Sequence, residues 1–244
     1  MSRLVIIAGP SGVGKSPLHA ALTRLAPEIS RGLRRLVLYN SRAPRPGEAD
    51  GVDYHFRPRA EIEALRDRPG FTVMEVRGDL QALDRDELQQ ALAAGDVVFE
   101  GNPFIGTALL EFATAGSVPV CSVFVSPLSQ EEIVSLGEAG VVLPELVTEV
   151  MRRKLLRRAR RQKGLLSVPD LEEVERRAGG AYAELRMAPR FTWVLPNHDG
   201  EDSEHWSAFY HPLGDARRTC QALLEILAGG EPALAEHWSE ELLP

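Results

Sequence analysis

The sequence predicts an α/β protein of three layers, in which helices cover both faces of a parallel central sheet. Short apolar runs at residues 4–8 (LVIIA) and 118–125 (VPVCSVFV) are typical of strands that are buried on both faces. Segments with a helical spacing of apolar residues, such as 18–25 and 86–94, stand between these runs. The chain has 244 residues, of which 44% are hydrophobic, and this is enough for one large domain with inserts.

The composition restricts the partners and the compartment of the protein. The formal net charge is −7 and the isoelectric point is about 5.5, so the chain lacks the overall basic charge of a nucleic-acid-binding protein. Cys121 and Cys220 lie far apart, and we expect both to be small buried thiols rather than a disulfide. No signal peptide or apolar stretch of membrane-spanning length is visible. These features predict a cytoplasmic protein without a membrane or nucleic-acid partner.

A glycine-rich phosphate-binding motif directly follows the first predicted strand. Residues 9–16 (GPSGVGKS) fit the pattern G-x-x-x-x-G-K-[ST] between a strand and a helix. Glycines permit backbone conformations in which successive N–H groups surround phosphate oxygens, and the helix directs its positive end at the same anion. Lys15 would contact the outer phosphates, and the Ser16 hydroxyl would ligate Mg²⁺. The candidate residues for binding the nucleotide here are Gly9, Pro10, Ser11, Gly12, Val13, Gly14, Lys15, Ser16 and Pro17.

Two arginines on a proline-rich segment form a second candidate phosphate site. Arg42 and Arg45 are three residues apart in SRAPRPGEADGVDYHF, and Tyr54 follows in the same segment. Two guanidinium groups on a backbone stiffened by proline can form a fork that receives a phosphate. The alternative is a basic surface loop, and the arginine pair alone leaves both interpretations open.

The two motifs together resemble the guanylate kinase family, because R-x-x-R-P-G-E-x-x-G-x-D-Y-x-F follows the glycine-rich loop at the distance typical of that family. The matching residues are Arg42, Arg45, Pro46, Gly47, Glu48, Gly51, Asp53, Tyr54 and Phe56. The resemblance implies a P-loop NTPase core that uses ATP and Mg²⁺, an inserted subdomain that binds the acceptor nucleotide, and a helical lid. It also implies that Arg42, Arg45 and Tyr54 hold the acceptor's phosphate and that the acceptor is GMP.

The same resemblance implies a division of one domain into three parts and a tail. The ranges are 1–37, 84–150 and 186–230 for the core, 38–83 for the insert, 151–185 for the lid and 231–244 for the tail. The tail is expected to contain a short helix. Residues 128–144 form a longer segment than the family has at this place. We interpret it as an insertion or an extended helix start, and a role as an oligomer contact stays open.

The base-reading part of the acceptor site departs from the family pattern. Glu75 matches a family glutamate, and Glu100 keeps an acidic residue at a strand end, where P-loop proteins place one near Mg²⁺. Thr72 stands where the guanine-contacting glutamate is expected, Gln81 replaces a tyrosine, and Asn102 replaces an aspartate. By position we expect all five to bind the acceptor, with altered recognition of the base.

A strongly basic segment predicts the lid. Residues 149–163 (EVMRRKLLRRARRQK) carry eight basic side chains, and a solvated basic helix is the alternative. In the family, arginines of this segment and of the next helix approach the transferring phosphoryl group when the lid closes. Arg158 and Arg177 are the candidates here, and together with Lys15 and Arg42 they are the predicted catalytic residues.

The last predicted strand, residues 191–197 (FTWVLPN), ends in Asn197, which by the resemblance lies near the adenine of ATP. The following loop contains His198, His205 and His211. Because their spacing fits no compact metal site, we expect a flexible polar loop.

The sequence therefore predicts an enzyme, an ATP-dependent phosphotransferase that acts on a nucleoside monophosphate, GMP or dGMP, as a monomer or homodimer. Two alternatives stay open. The sequence also resembles ribose 1,5-bisphosphate kinases, which lack the residues that contact guanine. Residues 118–127 resemble a segment of these enzymes. A guanylate-kinase-like binding module without catalysis would explain Asn102 and Thr72, although the intact Lys15 and Ser16 argue against it.

Overall fold

Two sheets organise the fold, and the larger one lies at its centre. The computed structural model describes residues 2–45 and 47–243, so Pro46 of the second phosphate motif lies outside the described residues. The strands in this part of the chain are β1 (Leu4–Ala8), β2 (Leu33–Arg35), β3 (Leu38–Asn40), β4 (Tyr54–Phe56), β5 (Phe71–Val76), β6 (Asp79–Asp84), β7 (Asp96–Gly101), β8 (Val120–Ser126) and β9 (Trp193–Pro196). Five of them form the central sheet in the order β2–β7–β1–β8–β9, and every neighbouring pair is parallel.

The central sheet is buried on both faces, which explains the continuous apolar runs in its strands. Every residue of β1 is fully buried, and so are Val123, Phe124 and Val125 of β8. Because side chains alternate between the two faces of a strand, helices must cover both faces to bury such a run. The predicted fold class, a three-layer α/β protein with a parallel central sheet, is confirmed.

Helices connect the strands and form the outer layers. They are α1 (Lys15–Leu25), α2 (Pro27–Arg31), α3 (Arg59–Glu63), α4 (Arg85–Ala94), α5 (Pro103–Ala115), α6 (Gln130–Glu138), α7 (Leu143–Lys163), α8 (Val168–Gly179), α9 (Ala181–Leu185) and α10 (Gly214–Leu227). Helix α1 packs against α10, whereas α5 packs against β1, β7 and β8. None of the helices described is long and apolar enough to span a membrane.

A smaller sheet, in the order β4–β3–β6–β5, has an apolar cluster of its own. Ile62 of α3 packs there against Leu80 and Ala82 of β6. Residues 33–40 do not form one continuous strand, because this segment contributes β2 to the central sheet and β3 to the smaller one. The chain changes sheets after Leu36, whose N–H still donates to the carbonyl oxygen of Val98 in β7 at 2.8 Å.

Helices α7 and α8 form a hairpin that packs around Leu155, Val174 and Ala178. Gly179 ends α8 and Gly180 separates it from α9, in agreement with the low helix propensity of glycine.

Residues 128–144 consist of helix α6 and the start of α7, so the helix-start interpretation describes part of this segment. Ser129 and Glu132 form a capping box at the beginning of α6, in which each side chain accepts the backbone N–H of the other residue.

The C-terminal tail is extended, and the prediction of a short helix there is wrong. Val194 of β9 and Glu236 exchange two backbone hydrogen bonds of 2.9 Å. These bonds satisfy polar groups at the edge of the central sheet that a helical tail would leave unpaired. Trp238 is buried beside them, and its indole N–H donates to Glu236 Oε2 at 2.7 Å.

Both cysteines are free thiols, as expected. Burial raises the pKa of Cys121 and of Cys220, which keeps both thiols protonated and unreactive.

Candidate active site

The glycine-rich loop between β1 and α1 has a backbone that only glycine accommodates without strain. Gly9, Gly12 and Gly14 have φ values of 151°, 86° and 110°. A Cβ on Gly9 would lie 2.4 Å from the carbonyl oxygen of Val125. The loop thus curls tightly at the carboxyl end of β1 and directs backbone N–H groups and the start of α1 to one point, which is the geometry of a phosphate cradle.

Lys15 lies buried at the centre of this cradle. Its Nζ donates to the carbonyl oxygens of Gly9 and Pro10 at 2.8 Å, and the residue is 7% exposed. Burial lowers the pKa of Lys15 to about 8. Its ammonium group is held by neutral carbonyl groups, and an anionic ligand would stabilise it further.

Ser16 and Glu100 form a hydroxyl–carboxylate pair where β7 ends next to the loop. Ser16 Oγ donates to Glu100 Oε1 at 2.7 Å, and His19 Nδ1 lies 3.5 Å from Glu100 Oε2. Oxygen ligands of this kind fit Mg²⁺, which takes few protein ligands and completes its shell with water and phosphate oxygens. Pro17 lies in the first turn of α1, where its missing N–H leaves no helical hydrogen bond unmade.

Arg42, Arg45 and Tyr54 come together opposite the loop. Glu48 fixes Arg42 through two hydrogen bonds of 2.6 and 2.7 Å and also accepts the N–H of Arg45 at 2.8 Å. The Arg42 guanidinium stacks on the ring of Tyr54, 5.1 Å from its centroid. Burial raises the pKa of Tyr54, so its hydroxyl stays protonated and can donate to a phosphate.

Arg45 also reaches the helical hairpin, where it pairs with Glu173 of α8 at 2.9 Å. Burial and the neighbouring charge of Arg42 lower the pKa of Arg45 to about 10. A guanidinium whose pKa is reduced in this way gains stability when an anion binds beside it.

Arg158 of α7 and Arg177 of α8 extend over the glycine-rich loop. Arg158 pairs with Glu201 at 2.5 Å, and Arg177 Nε donates to Ser11 Oγ at 2.6 Å. Burial, together with Arg45 and Arg158, places the pKa of Arg177 well below its usual range. In the described part of the chain Arg177 has no carboxylate partner, which leaves its charge for an anionic ligand.

These groups line one cleft with a volume of about 180 Å³, where seven cationic side chains face four carboxylates. The predicted site residues that line it are Ser11, Lys15, Ser16, Arg42, Arg45, Tyr54, Gln81, Glu100, Asn102, Arg158 and Arg177. An excess of positive charge in a cleft is the electrostatic pattern of a site for phosphate groups.

The structure places Thr72, Glu75 and Asn197 outside this cleft. Thr72 lies on the same face of the β5–β6 hairpin as Gln81 but not among the lining residues. Glu75 lies on the opposite face and pairs with Arg59 near solvent. Asn197 is fully buried, and its Nδ2 donates to the Val13 carbonyl oxygen at 2.7 Å, so it braces the glycine-rich loop from behind.

Asn102 is held by two contacts within the protein. Its Oδ1 accepts the N–H of Phe104 at the start of α5 (2.9 Å), and its Nδ2 donates to Glu184 Oε1 at 2.8 Å. An aspartate would repel Glu184 at this position, so the asparagine and the buried glutamate are compatible with each other.

Three charged residues of the site escaped the sequence analysis, namely Arg77, Glu184 and Glu201. Arg77 and Glu201 line the cleft, and Glu184 lies directly behind it with 1% exposure. Burial opposes ionisation of Glu201, but Arg158, Lys15 and Arg177 lower its pKa and keep it charged. The sequence signal for Glu184 was weak, since it is one glutamate in a short helix, and Glu201 lies in the loop expected to be flexible.

The histidine loop is ordered by ion pairs. Burial opposes protonation of His198, but its contacts with Asp215 at 2.5 Å and Glu132 at 2.9 Å raise its pKa. His205 Nδ1 contacts Asp199 at 2.9 Å. Among the described residues, no cluster of histidine, cysteine and carboxylate side chains could by itself hold a metal ion.

Comparisons with known proteins agree with this geometry. The family model named guanylate kinase matches residues 1–93. The guanylate kinase of Aromatoleum aromaticum is 31% identical over 198 residues, which cover 80% of each chain. The guanylate kinase of Alkalilimnicola ehrlichii is 29% identical over 234 residues, or 96% of this chain and 95% of that one.

A solved structure shows the same fold. The crystal structure of guanylate kinase from Anaplasma phagocytophilum matches with a TM-score of 0.53 at 19% identity and covers 93% of this chain and 85% of that chain. The predicted enzyme class, a nucleoside monophosphate kinase, is confirmed by the relatives in sequence. The chain therefore belongs to the guanylate kinase family.

Proposed function

We propose that this protein transfers the γ-phosphoryl group of ATP to the phosphate of a nucleoside monophosphate, with GMP or dGMP as the acceptor. The supporting observation is that one cleft unites Lys15 with the Arg42–Arg45–Tyr54 cluster and the arginines of the helical hairpin. In this proposal residues 38–83 bind the acceptor and residues 151–185 act as the lid. The sequence relatives are guanylate kinases, and this favours the same acceptor.

The chemistry of the site consists of positioning and charge stabilisation. Arg42, Arg45 and the Tyr54 hydroxyl hold the acceptor phosphate, whose oxygen attacks the γ-phosphorus in line with the leaving oxygen. Lys15 and Arg177 face the charge that develops on the transferring group. No general base is needed because the acceptor phosphate is already anionic.

The pair formed by Ser16 and Glu100 fits a magnesium site, with Ser16 Oγ as the direct ligand. Bound Mg²⁺ supplies charge compensation to the phosphate oxygens of the donor. In the protein alone, Glu100 accepts a hydrogen bond from the Ser16 hydroxyl and keeps its oxygen at the edge of the cradle.

Arg158 must change partner when the donor binds. Glu201, its carboxylate partner at 2.5 Å, is itself tied to the loop, because its N–H donates to the Gly12 carbonyl oxygen at 3.0 Å. A phosphate group carries more charge than this carboxylate and can attract the same guanidinium. We expect Arg158 to turn from Glu201 toward the phosphates as the lid closes.

Release of ADP from Mg-ATP tests the proposal. The purified protein is offered GMP, dGMP, other nucleoside monophosphates and ribose 1,5-bisphosphate, and we expect turnover with GMP or dGMP. Lys15→Ala should reduce it by at least about 10²-fold because the charge at the centre of the cradle is lost. Lys163→Ala is the matched control, since Lys163 pairs with Asp170 at the exposed end of the hairpin. Full activity of Lys15→Ala would contradict the mechanism.

A ribose bisphosphate is the second candidate acceptor, and the position of Thr72 favours it. Thr72, which stands in place of a guanine-contacting glutamate, carries no carboxylate and does not line the cleft, and both facts favour an acceptor without a guanine base. Turnover with ribose 1,5-bisphosphate alone would support this candidate. Nucleotide binding without any turnover would instead favour a binding module.

A further inference from the structure

A short segment after β9 lies directly against the glycine-rich loop, and we call its residues 199–206 the strap. The N–H of Glu201 donates to the carbonyl oxygen of Gly12 at 3.0 Å. A Cβ on Gly200 would lie 2.6 Å from the same oxygen, so the two backbones approach as closely as a glycine allows. The side chain of Glu201 therefore begins at the phosphate cradle itself.

Further contacts fix the strap in this position. The indole N–H of Trp206, which is buried, donates to the carbonyl oxygens of Asp199 and Gly200 at 2.9 and 3.0 Å. Asp202 pairs with Arg157 of α7 at 2.9 Å. Because the strap is bound both to itself and to the helical hairpin, the carboxylate at its centre is held in place against the glycine-rich loop.

Glu201 places a negative charge among the cations that the proposed mechanism assigns to phosphates. Its side chain lines the cleft and is 9% exposed, and it pairs with Arg158 at 2.5 Å. Burial opposes its ionisation, but Arg158, Lys15 and Arg177 lower the pKa of Glu201. Burial also lowers the pKa of Lys15, and among the charges that oppose this effect Glu201 comes first. The carboxylate thus compensates the same cations that a phosphate group would compensate.

A phosphate group in the cradle and this carboxylate exclude each other electrostatically. Two anions in one cleft repel each other, and burial strengthens the repulsion because little solvent screens it. When the donor's phosphates enter, either the carboxylate moves away from Arg158 or the complex retains the repulsion. In both cases part of the free energy of donor binding is lost.

We propose that Glu201 is an internal competitor of the donor, a carboxylate that takes the place of a phosphate group in the ligand-free protein and that ATP must displace. The strap is then an autoinhibitory contact on the glycine-rich loop. This inference rests on the proposed function, because it takes the cradle to be the site of the donor's phosphates. We expect that loss of the Glu201 charge strengthens ATP binding and at the same time destabilises the ligand-free protein, whose cations lose their counter-ion.

Calorimetric titration with ATP compares the wild-type protein with Glu201→Gln. The amide keeps the size and shape of the side chain but removes its charge, so we expect ATP to bind at least about fivefold more tightly. Glu204→Gln is the matched control, since it removes the same charge from the same strap. Glu204 is 82% exposed and is not among the residues that line the cleft. Solvent screens its charge, so the affinity of this control should stay within about twofold of the wild-type value.

Titration with and without Mg²⁺ separates competition from a role in metal binding. A competitor weakens ATP binding under both conditions, so the gain in Glu201→Gln should persist when EDTA removes Mg²⁺. A loss of affinity that occurs only with Mg²⁺ would assign the carboxylate to the metal and overturn the inference. An affinity no higher than that of Glu204→Gln would overturn it as well.

Arg158 supplies a measurement that a purely structural role of Glu201 would not change. In the wild-type protein the carboxylate and the donor compete for this guanidinium, so Arg158→Gln should lower the ATP affinity only modestly. In the Glu201→Gln background the guanidinium is free for the phosphates, and the same substitution should cause a loss at least about threefold larger. Equal losses in the two backgrounds would contradict the competition.

Urea denaturation shows whether Glu201→Gln is folded, and Glu201→Asp takes its place if it is not. The aspartate keeps the charge but is shorter by one methylene group, so its carboxylate lies farther from Arg158. We expect a smaller gain in ATP affinity, of about two- to threefold. An unchanged or lower affinity in this variant would count against the inference.

Failure of the proposed function is recognised separately. If the wild-type protein phosphorylates GMP while Glu201→Gln gains no affinity for ATP, the function stands and the inference fails. If the wild-type protein neither binds nor hydrolyses ATP, inorganic tripolyphosphate replaces it as the probe, because the inference concerns the phosphates alone. Tighter binding of tripolyphosphate by Glu201→Gln than by Glu204→Gln would then support the internal competitor. Equal binding, or no binding by any variant, would refute it.

Discussion

At the scale of single residues, two cations of the site, Lys15 and Arg177, form no direct ion pair with a described carboxylate. Lys15 is held by the carbonyl oxygens of its own loop, and Arg177 is held by the hydroxyl of Ser11. A buried charge without a counter-ion costs free energy in the ligand-free protein, and an anionic ligand relieves that cost. The free energy of these two buried charges therefore supports the proposed phosphate site around Lys15 and Arg177.

The affinity for ATP should fall as the pH rises through about 8. Burial lowers the pKa of Lys15 to about 8 in the free protein, and phosphate binding favours the protonated form. Below this pH the ammonium group of Lys15 is already protonated. Above it, Lys15 must take up a proton when ATP binds, and this weakens the observed affinity. The loss approaches about tenfold for each pH unit above the pKa.

Calorimetry with ATP on both sides of pH 8 measures this dependence. Lys15→Arg carries a charge that does not titrate in this range, so its ATP affinity should be flat with pH. A wild-type affinity that is equally flat would show that Lys15 is not the titrating group.

At the scale of elements, one face of α7 docks on the loop that follows β9. Arg157, Arg158 and Arg161 pair with carboxylates of residues 201–204, and Lys154 Nζ donates to the His198 carbonyl oxygen at 2.6 Å. Positions 154, 157, 158 and 161 lie on one side of a helix. Part of the basic charge that predicted a lid thus fixes α7 to a neighbouring loop.

The pair formed by Arg158 and Glu201 should contribute more to stability than the pair formed by Arg157 and Asp202. The side chains of the first pair are 21% and 9% exposed, whereas Arg157 is 66% exposed. Solvent screens the exposed pair, so we expect a coupling free energy of about 0.5 kcal/mol there and at least about 1.5 kcal/mol for the buried pair.

Double-mutant cycles with alanine at each position, followed by urea denaturation, give both coupling energies. Equal coupling in the two cycles would contradict the dependence on burial, and no coupling in either would show that these two ion pairs do not hold α7 on the loop.

At the scale of the whole molecule, the tail closes the edge of the central sheet. Glu236 pairs with β9 and also accepts the N–H of Gln130 at the start of α6 at 3.0 Å. Trp238 is 6% exposed, and His237 packs on Trp193 with ring centroids 4.6 Å apart. The tail therefore joins α6 to the last strand, far from the cleft.

Trp238→Ala should lower the free energy of unfolding by about 3 kcal/mol, because it removes a large buried side chain. Chemical denaturation measures the change, and kcat at low temperature should stay unaltered because the cleft is untouched. Glu240→Ala, an exposed neighbour, is the control, with an expected change within about 0.5 kcal/mol. A similar midpoint for both variants would mean that the tail does not pack on the sheet in solution.

The central architecture and the candidate residues at both ends of the cleft could be predicted from the sequence. Buried parallel strands need apolar residues at every position, and a phosphate cradle needs glycines and a lysine at fixed spacing, so both leave a local pattern. Arg42, Arg45 and Tyr54 became candidates through the family resemblance of one short segment that carries all three.

Only the tertiary structure decided what lies between these ends. Glu184 contacts Ser11, Arg77 and Asn102 from three distant segments, and no local pattern distinguishes it from a solvated glutamate. Thr72 and Glu75 are neighbours in sequence, yet the pleat of β5 sends them to opposite faces. The place of Arg77 in the cleft and the burial of its partner are set by packing, because they depend on which segments meet in space rather than on which residues follow each other.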